Sequence, residues 1–144
     1  MKYRIGFAAT TLYFIFATWT FAGARYNIIT GENLLKTLQE KKPVNIVDIQ
    51  KKKSFLLHHF FASLETDAYP VKTDKETGQI KKILATLQQN TNPVIIVGPR
   101  GTRASQRAYA YLAGEGINAQ RLAILQKGVR GWPAPQILLN TSGQ

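Results

Sequence analysis

The residues best suited to chemistry in this sequence form one short segment, Val94–Arg103. An apolar β-branched run stops at Gly98, a loop with a second glycine and two arginines follows, and helix-forming sequence resumes at Ala104. The N–H groups of such a loop and of a first helical turn lack helical partners, and the helix dipole and the two arginines add positive charge. The segment therefore predicts an anion-binding loop. Its residues are Gly98, Pro99, Arg100, Gly101, Thr102 and Arg103.

The segment resembles the active-site loop of the rhodanese family, which runs Cys-x-x-Gly-x-Arg at the end of a buried strand and is often followed by Ala-Ser. Here Gly98 stands where the resemblance requires the nucleophilic cysteine, and the other positions, including Ala104 and Ser105, fit. The chain contains no cysteine, which excludes persulfide chemistry and the cysteine chemistry of phosphatases and arsenate reductases that share the fold. Thr102 and Ser105 are the nearby hydroxyls, and neither has an evident base. We predict no catalytic residue.

Three supporting residues extend the resemblance over about Ile28–Trp132. Asp48 ends an apolar run where the family has Asp-x-Arg, and the resemblance implies that this acid holds loops near the site. A simple helix or loop cap is an equal alternative for Asp48. His59 matches the histidine of the family segment Gly-His-Ile-Pro-Gly-Ala. Trp132 matches the tryptophan of the closing motif Gly-Gly-x-x-x-Trp and is expected to cover the core.

Apolar runs and helical periodicity alternate along the chain, which predicts an α/β fold: a rhodanese-like open parallel sheet with helices on both faces. In such a sheet the ligand site lies at the carboxyl ends of the strands, where the Gly98–Arg103 loop falls. The predicted strands are Tyr26–Ile29, Val44–Ile49, a strand from Val94, and Leu122–Leu125. The predicted helices are about Glu32–Glu40, about Thr73–Gln89, with a Thr-x-x-Glu capping box at its start, and about Thr102–Ala113.

The first 24 residues predict a signal peptide or a membrane anchor. Lys2 and Arg4 precede the apolar run Ile5–Phe21, and Ala22-Gly23-Ala24 fits the small-x-small cleavage pattern. An uncleaved anchor is the second interpretation, because the apolar run is nearly long enough to span a bilayer, and it would bring membrane contact. We therefore expect an exported protein, periplasmic or attached to the membrane facing outward, with a rhodanese-like domain over 25–135 and a tail over 136–144.

The charge of the chain favours anionic partners. Residues 25–144 contain all eight acids and all but two of the 19 lysines and arginines, so their net charge is +9. Nucleic acid is not expected as a partner, since no reading motif is present and export removes the usual target. A metal is not expected either, because His58 and His59 are adjacent and point apart on any regular element. No cofactor is predicted.

Three functions remain open from the sequence. The first is an exported, catalytically inactive rhodanese-like module that binds or regulates an envelope protein partner. The lysine run Lys51–Lys53 and the apolar tail favour this function. The second is the binding of a small oxyanion or sulfur species by the Gly98–Arg103 loop. The third is an enzyme related to sulfurtransferases with unrecognised chemistry. A purely structural role for Arg100 and Arg103, in capping carbonyls or pairing with Asp48, is a further alternative.

Overall fold

A computed structural model describes residues 25–143 of the chain. The predicted signal or anchor segment, Met1–Ala24, lies outside the described residues. The strands are β1 (Ile28–Ile29), β2 (Asn45–Asp48), β3 (Leu64–Glu65), β4 (Val94–Val97) and β5 (Leu122–Leu125). They form one sheet in the order β1-β5-β4-β2-β3, and every neighbouring pair is parallel. This arrangement confirms the predicted open parallel sheet.

Five α-helices connect the described strands. They are α1 (Gly31–Gln39), α2 (Lys52–Leu57), α3 (Asp74–Lys81), α4 (Leu84–Gln88) and α5 (Arg103–Gly114). Short 3₁₀ turns cover Ala119–Arg121, Val129–Gly131 and Pro135–Ile137. Within residues 25–143, no helix combines the length and apolar character needed to cross a membrane.

Helices cover both faces of the sheet, as the sequence predicts. On one face, Leu34 of α1 packs in a core with Phe60 and Trp132. On the other face, Ile80 of α3 and Leu112 of α5 belong to a second core. The central strands β2 and β4 are buried between the two cores, because their apolar residues project alternately to each side.

The sequence prediction of one helix over Thr73–Gln89 is wrong in one respect, because the chain forms two helices. The capping box at its start is present, with Thr73 accepting from the Glu76 N–H and Glu76 accepting from the Thr73 N–H. At the break, the Ile83 N–H donates to the Ile80 carbonyl at 3.1 Å, which is a tighter turn than that of an α-helix. Ile80 before the break and Leu84 and Leu87 after it are all buried, so both helices present apolar residues to the same core.

Strand β3 is an element that the sequence analysis did not predict. It has only two residues, and it exists because Leu64 and Glu65 pair with the end of β2. The backbone and hydroxyl of Thr66 continue this attachment by donating to the Asp48 carbonyl at 3.0 and 2.9 Å. A strand this short has no periodicity of its own, so tertiary pairing alone defines it.

The C-terminal tail packs across the domain. Leu139 forms an antiparallel bridge with His59, with N–H to carbonyl distances of 2.8 and 3.1 Å, and the Thr141 N–H donates to the Leu56 carbonyl at 2.7 Å. These bonds fix the tail against the end of α2. The tail therefore forms part of the surface at the carboxyl edge of the sheet.

Candidate functional site

The loop between β4 and α5 leaves a series of backbone donors free. Within residues 25–143, the N–H groups from Arg100 to Ser105 donate to no protein acceptor. The loop carbonyls, in contrast, are held: the Val129 N–H donates to the Gly98 carbonyl at 3.0 Å and the Arg130 N–H donates to the Pro99 carbonyl at 3.1 Å. The loop is thus held through its carbonyl groups. Its N–H groups remain available to bind a ligand at the start of α5, which has 12 residues.

Gly128 allows this close approach of the closing motif to the loop. Its φ of +59° with ψ of −157° is a conformation that essentially only glycine adopts. A Cβ atom built on Gly128 would collide with the Gly98 carbonyl oxygen and would lie 2.6 Å from the Arg100 nitrogen. The glycine in the Gly-x-x-x-Trp motif is therefore required by contact with the anion-binding loop itself.

A groove of about 550 Å³ lies in front of this loop at the carboxyl edge of the sheet. Its basic residues are Lys51, Arg100 and Arg130, and no aspartate or glutamate of residues 25–143 lines it. Its other lining residues are Gln50, Ser54, Leu57, His58, Tyr69, Pro99, Thr102, Val129, Pro135 and Leu138. The groove therefore combines a cationic rim with apolar walls, to which the tail contributes.

The cations of the groove have no protein partners among the described residues. Lys51, Arg100 and Arg130 are exposed, and none makes a side-chain hydrogen bond or an ion pair within residues 25–143. Arg103 is likewise unpaired there. The alternative that Arg100 and Arg103 cap carbonyls or pair with Asp48 therefore finds no support in the structure.

The predicted loop residues divide into two groups. Pro99, Arg100 and Thr102 line the groove, whereas Gly98 is buried behind it and Gly101 and Arg103 lie outside its lining. Arg103 is the first residue of α5 and is exposed to solvent. Arg100 is thus the one arginine of the predicted pair that the structure brings into the groove.

Asp48 supports the groove through Gln50. The carboxylate of Asp48, fully buried at the end of β2, accepts from the Gln50 N–H at 2.9 Å and from Gln50 Nε2 at 3.1 Å. The same amide nitrogen donates to the His58 carbonyl at 3.0 Å. Gln50 and His58 both line the groove, so this chain of bonds holds the groove wall at the end of α2.

The environment of Asp48 disfavours its charged form. Burial raises the pKa of the carboxyl to about 7, while the hydrogen bonds from Gln50 lower it and the charge of Glu65 raises it further. Where the resemblance leads one to expect an arginine two residues after this acid, the chain has Gln50. A neutral amide compensates the buried charge less than a guanidinium does, and the raised pKa is consistent with that exchange.

His59 and Trp132 have structural positions rather than positions in the groove. The His59 ring is buried, stacks on Phe55 with ring centroids 4.1 Å apart, and donates from Nδ1 to the Phe55 carbonyl at 2.7 Å. Trp132 is buried edge-to-face against Phe60 and donates from Nε1 to the Ala134 carbonyl at 2.8 Å. The expectation that Trp132 covers the core is confirmed. The histidine beside the groove is His58.

Ser105 occupies the space beside the position where the resemblance requires a cysteine. Its hydroxyl is buried and has no hydrogen-bond partner among the described residues. A Cβ atom built on Gly98 would lie 2.7 Å from this oxygen and 3.5 Å from the Ile49 side chain. Gly98 has no positive φ, so its backbone accepts any residue, and the obstacle to a side chain there is the Ser105 hydroxyl.

We expect Ser105→Ala to raise the free energy of unfolding by about 1 kcal/mol, because a buried hydroxyl without a partner carries a desolvation cost with no compensating bond. Urea unfolding of the full chain and of the variant measures the difference. Ser54→Ala, which removes an exposed hydroxyl, serves as the control and should have little effect. A loss of stability in Ser105→Ala would show that the hydroxyl has a stabilising partner.

Sequence reasoning missed part of the groove. The sequence analysis assigns no site role to Arg130, which lies two residues before Trp132, and treats Lys51 only as part of a lysine run. Each adjoins the end of an element at the carboxyl edge, Lys51 after β2 and Arg130 after β5. Because carboxyl ends of parallel strands meet at one edge, their position after apolar runs was a usable signal for a shared site.

Comparisons with known proteins identify the fold. No protein-family model and no curated protein matches the chain. Among solved structures, a rhodanese-like domain protein from Staphylococcus aureus is 24% identical with a TM-score of 0.59, covering 81% of this chain and 99% of that one. A yeast protein tyrosine phosphatase of the rhodanese family is 15% identical with a TM-score of 0.61, covering 77% and 86%.

A third similar structure, the As-Sb reductase from Leishmania major, is 11% identical with a TM-score of 0.60 and covers 75% of this chain and 77% of that one. Identities this low establish the architecture and not the activity. The parallel five-stranded sheet with helices on both faces therefore belongs to a common framework. This chain has the rhodanese-like fold, without a cysteine anywhere in its sequence.

Proposed function

We propose that this chain is an exported, non-catalytic binding module that holds an anionic group of a protein partner in the groove at the carboxyl edge. The observation that carries this proposal is a groove whose lining, within residues 25–143, has three cations without an ion-pair partner and no acid, together with the free N–H groups of Arg100 and Thr102. Cations and free N–H donors in one lining favour an anion. The absence of cysteine removes the thiolate chemistry and leaves the binding surface.

The shape of the surroundings favours a partner protein over a free small ion. Leu57, which lines the groove, is 40% exposed, and the tail residues Ile137 and Leu139, which flank the groove residue Leu138 in sequence, are 44% and 38% exposed. An exposed apolar rim around a polar centre is typical of a protein-binding surface. Binding of a free oxyanion or sulfur species in the same groove is the second candidate function. Only the Gly98–Arg103 loop favours it, because a small anion would not contact the apolar rim.

The test is a thermal-shift series on the full chain in mild detergent. The probes are thiosulfate, sulfite, sulfate and phosphate at constant ionic strength, and a glutamate-rich peptide containing leucine. A ligand at about a hundred times its dissociation constant adds about 2.7 kcal/mol of stability. We expect the peptide to give a shift at lower concentration than any of the inorganic anions, because it also covers the apolar rim.

Variants separate the groove from a general charge effect. Arg100→Ala/Arg130→Ala should abolish the thermal shift caused by the bound probe. Arg100→Ala/Arg103→Ala also removes two charges, but it leaves Arg130 in the groove and should retain a smaller thermal shift. Leu57→Ser/Ile137→Ser should weaken the binding of the peptide and leave the binding of the inorganic anions unchanged. If an inorganic anion binds as tightly as the peptide and is insensitive to the apolar changes, the free-oxyanion function replaces the proposal. If no probe shifts the transition, the groove is not an anion site.

A further inference from the structure

A second surface lies at the opposite edge of the sheet, where the strands begin, and we call it the amino edge. Phe61, just before β3, is 80% exposed there. No other large hydrophobic residue of the described chain is as exposed. A shallow apolar depression of about 380 Å³ adjoins its ring, with Leu38, Val44 and Ile46 in its walls. An exposed aromatic ring that is continuous with an apolar depression forms an apolar patch, and such patches mark protein or membrane interaction sites.

Lysines surround this aromatic ring. Lys41 and Lys42 line the same depression, immediately before β2. One nearby acid, Glu40, is paired with Lys42 and with Lys36, so the patch keeps a positive balance. Phenylalanine on an interfacial apolar surface enters the boundary between headgroups and acyl chains, and lysines beside it are attracted to anionic lipids. The chemistry of the patch therefore fits an anionic bilayer surface.

The sequence before the domain places the same edge near a membrane. The apolar run Ile5–Phe21 is followed by only Ala22–Arg25 before Tyr26, where the chain approaches the start of β1. Five residue steps span at most roughly 18 Å when fully extended. If the apolar run is retained in the bilayer, the start of β1, and with it the amino edge, must stay within that distance of the membrane surface.

The positions of the strands extend this constraint to Phe61. β1 and β3 are the two outer strands of the sheet, so four interstrand spacings separate their starts, or about 19 Å. Both starts lie on one edge of a parallel sheet. A membrane surface that lies close to Arg25 at one end of the amino edge is therefore able to contact Phe61, Lys41 and Lys42 at the other end.

We propose that the amino edge is a membrane-facing surface: Phe61 enters the headgroup region of an anionic bilayer, and Lys41 and Lys42 contact the lipid phosphates. This orientation turns the groove at the carboxyl edge away from the bilayer. A retained N-terminal segment and the Phe61 patch would then hold the domain at two points. The groove would be presented to soluble or neighbouring envelope components.

The test uses the absence of cysteine from the chain. The full chain with Phe61→Cys is labelled with a polarity-sensitive fluorophore and reconstituted into phosphatidylcholine vesicles with and without phosphatidylglycerol. We expect the emission to shift to shorter wavelength when phosphatidylglycerol is present. The shift should be lost when Lys41→Glu/Lys42→Glu is added. The same fluorophore attached to Lys75→Cys, which is exposed on α3 near the carboxyl edge, should show the emission wavelength of a water-exposed label with both kinds of vesicle.

Other results would overturn the proposal. Water-like emission from position 61 in anionic vesicles would show that the patch does not reach the bilayer. An equal shift at positions 61 and 75 would show that the domain has no preferred orientation. A shift at position 61 that is independent of lipid composition and grows with protein concentration would show that a second copy of the chain covers the patch. None of these results bears on anion binding at the groove, because that site lies at the other edge.

Discussion

Gly98→Cys, combined with Ser105→Ala, is expected to give a thiol with a pKa clearly below the value of about 8.5 for an ordinary cysteine. The reason is the free donors of the loop: the N–H groups from Arg100 to Ser105 have no acceptor in the described chain. A thiolate at position 98 would supply one. The guanidinium of Arg100 and the dipole of α5 add to this stabilisation of the charged form.

The second substitution is needed for space. The new Cβ atom would lie 2.7 Å from the Ser105 hydroxyl, and Ser105→Ala removes that oxygen while leaving the helix otherwise unchanged. Gly98→Cys alone is expected to be less stable than the double variant. The double variant also tests the resemblance itself, because an intact rhodanese loop should let the thiolate take the outer sulfur of thiosulfate and release sulfite.

The rate of alkylation by iodoacetamide as a function of pH gives the pKa of the thiol. Since the natural chain has no cysteine, each variant reports a single site. Lys75→Cys supplies an exposed cysteine on α3, outside the lining of the groove, as the control, with an expected pKa of about 8.5. A pKa at or above that of the control would mean that the loop donors do not converge on position 98.

Asp48→Asn is expected to remove a large part of the pH dependence of folding. The pKa of Asp48 rises to about 7 in the folded chain, from an ordinary value of 3.8. The folded chain therefore binds this proton more tightly than the unfolded chain does. Its contribution to stability is complete below about pH 4 and is lost as the pH rises through about 7. Between about pH 5 and about pH 9, the loss is of the order of 3 kcal/mol.

Urea unfolding at those two pH values measures this effect, and the variant should lose about 3 kcal/mol less stability than the parent chain. Glu65→Gln is the matched control: it leaves Asp48 in place and removes a charge that raises its pKa, so the loss should shift to lower pH. Equal pH dependence in the parent chain and in Asp48→Asn would mean that Asp48 is ionised in the folded protein throughout this range.

The sequence alone determined the elements that have a period and the positions of the main strands along the chain. The apolar runs that became β2, β4 and β5 are long enough to be recognised, and the stripe of α5 is regular. The loop after β4 was recognisable because its glycines and arginines follow a fixed spacing. The absence of a thiol nucleophile needs no structure, because it is a property of composition.

Only the tertiary structure decided which residues share the groove. Lys51 and Arg130 are 79 positions apart in the chain, and the parallel pairing of β2, β4 and β5 brings the ends of their strands to one edge. Arg103 matches the arginine of the loop pattern and Arg100 stands at a variable position, yet Arg100 lines the groove and Arg103 starts a helix outside it. Spacing along a chain specifies which residues are neighbours in a local element. Packing against distant elements determines where their side chains lie.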